Sequence, residues 1–218
     1  MVVGQVAGVE ALAALGAVDF LMWVVTGIST GLTQGFSIQL SQYYGAKDFE
    51  NLRKSLAHSY RLTAFIAAGV LILSQSFASL VLTGLHTPSN IIGMSLLYLR
   101  IIFCGIPATA AYNMFASALR AMGNSKTPLT AMVIASVLNV SLDILFVAGF
   151  GWGVAGAAIA TVIAQSFSAV YCFLILRRID IVHLTRADFM PASGMNARLM
   201  KLGIPVVCLL YTSDAADD

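Results

Sequence analysis

Pro128-Leu-Thr-Ala-Met-Val-Ile-Ala-Ser-Val-Leu-Asn139-Val-Ser-Leu-Asp143-Ile-Leu-Phe-Val-Ala148 carries a single charged side chain. A run of roughly 20 apolar residues is the length that takes an α-helix across the ~30 Å hydrocarbon core of a bilayer. Four more stretches have the same character, at about residues 11–40, 62–82, 101–119 and 154–176. Another opens near Leu199 (Leu-Met-Lys-Leu-Gly-Ile-Pro-Val-Val-Cys-Leu-Leu210) and is not completed. The alternating pattern of a membrane β-barrel is absent. The fold expected is all-α: a polytopic membrane helix bundle of five complete spans and the start of a sixth.

Composition points the same way. Hydrophobic residues make up 59% of the 218 and charged residues 10%, and mean hydropathy is +0.87. Soluble domains carry about 25% charge, so this chain cannot cover a water-facing surface and needs the lipid bilayer as a partner. No nucleic-acid partner is expected. Cys104, Cys172 and Cys208 are odd in number and set in apolar stretches, which favours packing over a disulfide framework or a metal site.

Direction follows from Lys and Arg. Eleven of the twelve fall in three connections, around residues 47–61, 120–126 and 177–201, and only Arg100 lies in the alternate ones. Basic connections stay cytoplasmic, so the first span should run from outside to inside. The turns mark the boundaries. Gly123 suits a left-handed helix end, Thr127 can cap the next helix with Pro128 in its first position, and Gly45 closes the first span.

Asp143 is the most informative residue. A carboxylate at a helix centre costs on the order of 2.5–3.5 kcal/mol, less nearer the interface. It therefore needs a proton, a hard cation such as Na⁺, or hydrogen-bond donors, and Asn139 lies four residues earlier on the same face. Either it exchanges an ion or it is a structural acid bonded to a neighbouring helix; intramembrane acids favour the first. Asp19 in the first span either lines a solvated cavity or sits at the wetted interface. Pro107 removes a backbone donor and displaces the Phe103 carbonyl, so a kink is expected, whether a moving hinge or a static bend. Tyr112 and Asn113 follow on that helix.

Gly27-Ile-Ser-Thr-Gly31 fits the G-x-S-x-G pattern of serine hydrolases. That pattern requires a strand-to-helix elbow and a histidine partner, and His58, His86 and His183 all fall near span ends or in connections. Gly27, Gly31 and Gly35 recur every four residues and make a flat face for close helix contact. Gly156, Ala160, Ala164 and Ser168 make a similar stripe. The basic segment 177–201 is either a lipid-headgroup site or, the preferred reading, a solvated linker.

Several stretches, in order, resemble the multidrug and toxic compound extrusion (MATE) family. They are Gly8-Val-Glu-Ala-Leu-Ala-Ala-Leu-Gly16, Gly31-Leu-Thr-Gln-Gly35 with Tyr44-Gly-Ala-Lys-Asp48, and Gly105-Ile-Pro-Ala108 with Tyr112-Asn113. Ala118-Leu-Arg-Ala-Met-Gly-Asn-Ser-Lys-Thr-Pro128, Asn139-Val-Ser-Leu-Asp143 and Gly151-Trp-Gly-Val-Ala-Gly-Ala-Ala158 with Thr161 complete the series. The resemblance implies a twelve-helix antiporter of two six-helix lobes, exporting amphipathic or cationic small molecules by alternating access in exchange for H⁺ or Na⁺. It implies no other cofactor, no enzymatic activity, and residence in the plasma (bacterial inner) membrane. By motif, the coupling residues are Asp143, Asn139, Asn113 and Thr161, with Asp19, Gln34 and Tyr112 as cavity candidates; the family's helix-one Asp has no counterpart. Residues 1–176 are then an incomplete amino-terminal lobe and 177–198 the inter-lobe connection. Residues 199–210 begin the next span, and 211–218 are expected to be a non-native tail. The first helix and the carboxy-terminal lobe would be the missing partners. A lipid-linked saccharide flippase of the same superfamily, or a non-transporting scaffold, is the alternative.

Overall fold

The structure, a computed structural model, describes residues 9–84, 91–190 and 194–214, with backbone alone for residues 9–21, 210, 211, 213 and 214. Seven helices carry the fold: α1 Val9–Gly45, α2 Phe49–Gly84, α3 Ile92–Cys104, α4 Ile106–Ala121, α5 Lys126–Asp143, α6 Gly153–Leu176 and α7 Met195–Asp214. Among the described residues there is no strand. Helix α5 continues as a π-helical turn, Ile144–Gly149. Helix α2, the run Lys126–Gly149 and helix α6 are each long and apolar enough to cross a membrane, and the bent pair α3–α4 makes a fourth span. Helix α1, with 37 residues, is about 55 Å long and exceeds the bilayer core. Outward-facing Phe65, Leu80 and Val137 are more than 60% exposed, as expected where lipid is the solvent. Cys172 is buried, but Cys104 and Cys208 are exposed, which corrects the packing role expected of those two.

The third span starts earlier than the sequence suggests, at Ile92 instead of residue 101, and bends by 43°. The break is at Gly105, two residues before Pro107. A Cβ on Gly105 would lie 2.7 Å from Val162 Cγ2 of α6, so α6 presses into the chain where it turns. Pro107 occupies the first turn of α4, where its missing N–H is no loss.

The ends of the bundle are packed differently. At the end that carries most of the Lys and Arg, Leu32, Phe36, Leu40, Leu52, Leu56, Leu119, Leu176 and Leu199 form one buried cluster. At the far end Leu82, Leu99, Phe103 and Ile106 form a smaller one. Helix α7 crosses α1 on the small-residue face expected of Gly31 and Gly35. A Cβ on Gly35 would stand 2.4 Å from Gly203 Cα, and one on Gly31 would stand 2.9 Å from Val207 Cα. The α6 stripe is likewise buried at Gly156, Ala160, Ala164 and Ser168.

Three local expectations are revised. Helix α5 starts at Lys126, not at Pro128, and the Asn124 Oδ1 accepts the Thr127 N–H at 3.1 Å; Thr127 lies inside the first turn, so Asn124 in place of Thr127 serves a free donor there. Gly123 does adopt the left-handed conformation (φ 84°), and α1 ends at Gly45 as expected, but the left-handed residue that follows it is Lys47 (φ 57°). The connection 177–198 is not simply solvated. Asp188 and Val182 are buried, and Asp188 accepts the Thr185 N–H and hydroxyl at 2.7 and 2.8 Å. His58 of α2 meets the Asn196 Oδ1 at 2.7 Å and the Met190 carbonyl at 3.1 Å. Arg61 donates to the Phe189 carbonyl at 3.0 Å. The segment's charged face remains exposed, while its alternate residues close the bundle. Helix α7 begins at Met195 and runs through Asp214, so it includes residues 211–214 of the stretch expected to be a tail.

Candidate functional site within the bundle

Helix α5 presents Asn139 and Asp143 one turn apart, about 6 Å along the axis. Asn139 Nδ2 donates to Thr161 Oγ1 at 3.3 Å, and the Thr161 hydroxyl donates to the Ala157 carbonyl at 3.0 Å. Each group has one role in this relay. One amide N–H and the hydroxyl proton are used, which leaves the Asn139 carbonyl oxygen free to accept and its second N–H free to donate. Asn139, Thr161 and Tyr112 line one cavity of about 160 Å³ between α4, α5 and α6, together with Ser136, Gln165 and Ser168. The Tyr112 hydroxyl makes only a long contact, 3.5 Å, to the Pro128 carbonyl.

Asp143 stands apart from this relay. Its Oδ1 is buried and has no hydrogen-bond partner, while the residue as a whole is partly buried. It is the last residue of α5 before the π-turn, and π-turns are frequent at functional sites. An unpartnered buried carboxylate oxygen is costly. A proton or a hard cation would satisfy it, since either supplies the missing positive charge.

Asn113 does not join Asn139. Its Nδ2 donates to Thr30 Oγ1 of α1 at 3.1 Å. Thr30 belongs to the Gly27–Gly31 stretch, so that segment contributes a polar link as well as packing. Gln165 is also missing from the sequence reading; it lines the Asn139 cavity and a second one of about 80 Å³ shared by Thr26, Thr109 and Thr161. The available signal was an amide four residues after Thr161 in an apolar helix. Gln34 is exposed on α1 and lines neither cavity. Asp19 lies in the part of α1 whose side chains fall outside the described ones. Among the described residues, no cluster of three His, Cys, Asp or Glu could hold a metal.

A bundle of membrane-length helices around an amide–hydroxyl relay, with a buried carboxylate one turn away, defines a polytopic membrane protein with an intramembrane polar site. Residues 1–145 match the family model described as MatE, and the chain belongs to that family. It is 32% identical over 213 residues to "Probable multidrug resistance protein YoeA" of Bacillus subtilis, covering 94% of this chain and 46% of that protein. Two solved structures share the fold. One is an inward-facing multidrug resistance MATE family transporter of the MOP superfamily, 24% identical, with 96% of this chain and 48% of that one aligned and a TM-score of 0.90. The other is an outward-facing conformation of such a transporter, also 24% identical, with 99% and 48% aligned and a TM-score of 0.90. The chain spans about half the length of the curated relatives it matches.

Proposed function

We propose that this chain is one lobe of a cation-coupled efflux antiporter for amphipathic or cationic small molecules, with Asp143 as the residue whose charge state drives the exchange. The observation that carries the reading is the buried Asp143 Oδ1 without a partner, one turn from an amide already fixed to Thr161. Binding of H⁺ or Na⁺ at Asp143 neutralises a charge that the apolar bundle disfavours, and release restores it. The adjoining π-turn, Ile144–Gly149, and the bend at Gly105 are the two irregular places where the backbone has room to respond. The equal fit to inward- and outward-facing structures supports a lobe that moves as a unit, with the ion biasing one arrangement over the other. The two cavities are lined without Lys or Arg, which disfavours a flippase that must hold a pyrophosphate. In this reading the basic connections lie in the cytoplasm and α1 enters it from outside.

The test is ion-driven ethidium export from vesicles containing the complete transporter, with Asp143→Asn beside the native protein. The variant should reach the membrane at native levels, melt at an equal or higher temperature because the unpartnered carboxylate is gone, and lose export at least tenfold. Export that persists at the native rate with the same ion dependence removes Asp143 from the mechanism.

A further inference from the structure

We infer that the side of the bundle formed by α2, α4 and α6 holds one anionic phospholipid, with an acyl chain in an apolar groove and the phosphate at Arg177. A groove of about 370 Å³ runs between these helices, floored by Ala64, Ala67 and Ala68 of α2 and by Ala110 and Ala111 of α4. This is within the size range of small-molecule sites, at its lower end. From Tyr60 to Leu71, its limits on α2, the helix rises about 16 Å, close to one leaflet of a ~30 Å hydrocarbon core. Phe65 and Ile72 beside it on α2 are 71% and 65% exposed, so this face of the helix is turned to lipid.

The groove has a chemically distinct end. Tyr60 and Phe173 also line a second cavity, of about 300 Å³, which continues to Arg177, His183 and Phe189. An aromatic collar marks the passage. Tyr60 meets Phe115 edge-on at 5.4 Å, and Phe115 meets Phe173 at 5.2 Å. The Arg177 guanidinium lies 5.6 Å from the centre of the Phe173 ring, which holds a cation where the apolar groove ends. Arg61 is tied to the Phe189 carbonyl at the same margin. Acidic groups at this end include Asp180, 3.7 Å from His183 Nε2, and the buried Asp188, 3.9 Å from Arg53 Nε; Arg53, Arg61, Arg177 and Arg178 outnumber these two. An apolar slot one leaflet long that opens at a cluster of guanidinium groups matches a lipid with an anionic headgroup. A soluble anion would leave the slot unused, and a neutral lipid would leave Arg177 unused.

Native mass spectrometry of the detergent-purified full chain, titrated with phosphatidylglycerol or phosphatidylcholine, tests this. The native protein should retain phosphatidylglycerol about tenfold better than phosphatidylcholine. Arg177→Gln should bring the two to parity, and Ala68→Trp, which fills the slot, should lower retention of both. Because Ala68→Trp could disturb folding, Arg177→Gln, an exposed position, decides independently. Equal retention of the two lipids by the native protein overturns the proposal, as does undiminished retention in a folded Ala68→Trp variant. A photo-crosslinker at Ala64 should capture lipid; capture of another segment of the protein overturns it as well.

Discussion

The basic end of the bundle and its far end solve the same packing problem in opposite ways. At the basic end two helices touch glycine to glycine, as Gly35 on Gly203. Both ring nitrogens of His58 are engaged by the segment that enters α7, and the turn before that segment is closed by a reciprocal Thr185–Asp188 cap. At the far end a span breaks at Gly105, α5 loosens into a π-turn, and a carboxylate oxygen is buried without a partner. The apolar cluster there is also smaller. Close packing permits little movement, because interiors at near-crystalline density yield only in discrete steps. At the basic end it is concentrated at the α1–α7 crossing, with the cavity at Arg177 and the α2 groove opening elsewhere at that end. The contrast separates a held end from a deformable one, and the candidate ion site belongs to the deformable end.

The held end can be broken most severely at the helix crossing. Gly35→Ala places a methyl group 2.4 Å from a backbone Cα, and the helices must part to admit it. A loss of about 1–3 kcal/mol is expected, seen as a lower melting temperature in detergent. Gly69→Ala is the counterpart, since a Cβ there meets nothing within 4 Å. It should stabilise by roughly 0.5–1 kcal/mol through helix propensity alone. If both variants melt alike, the crossing is not the fastening we describe.

His58→Ala attacks the same end through its polar contacts. It leaves the Asn196 side chain and the Met190 carbonyl without the ring, at a cost of about 2 kcal/mol, or roughly a thirtyfold rise in opening of the connection. Tryptic cleavage at Arg186 should accelerate accordingly, while the reactivity of a cysteine introduced at Ser136, in the Asn139 cavity, stays unchanged. A parallel change at both places would mean that the connection and the cavity are not independent.

What the sequence disclosed follows the same division. Length, apolarity and glycine spacing act locally and additively, so the spans and the α1 packing face were legible from residues such as Gly31 and Gly35. Asn139 and Thr161 were placed by the family resemblance, and the structure brings them into contact. Partnerships that depend on how helices rotate against one another were not legible. Asn113 bonds to Thr30 and Asn139 to Thr161, while Asp143 bonds to neither. Nor could spacing disclose that His58 reaches across more than a hundred residues to fasten the inter-helix connection. The bend falls at Gly105, within the Phe103–Pro107 turn where a kink was expected, but the close approach of Val162 from α6 at that point lies on another helix and was not legible.

Within the bundle, Asn139→Ala removes one donor from Thr161, whose hydroxyl keeps its bond to Ala157. The stability cost should be about 1 kcal/mol. Export in the vesicle assay should fall further than the melting temperature implies, because Asn139 also lines the cavity. Loss in proportion to stability alone would make the relay purely structural.

The smallest effect belongs to the held end, and pH reveals it. Asp48 precedes α2 and accepts the Asn51 side-chain amide at 2.7 Å and the Asn51 backbone N–H at 3.2 Å. These bonds, the side-chain one foremost, hold its carboxyl below the usual value, with Lys54 assisting. A group whose folded value is depressed contributes stability that is complete above its unfolded value, about 3.9, and is lost as pH falls through the lower folded value. The turn between α1 and α2 should therefore loosen only below about pH 4. Asp48→Asn keeps a side-chain oxygen that can cap the helix but cannot titrate, so the variant should show a smaller drop in melting temperature than the native protein between pH 6 and pH 3. Because Asp48 is partly exposed to solvent, the difference should be a small fraction of the Gly35→Ala effect and should shrink further in high salt as Lys54 is screened. An identical acid response in the two proteins would show that this turn owes nothing to the Asp48 charge, and that the held end is held by packing and by His58 alone.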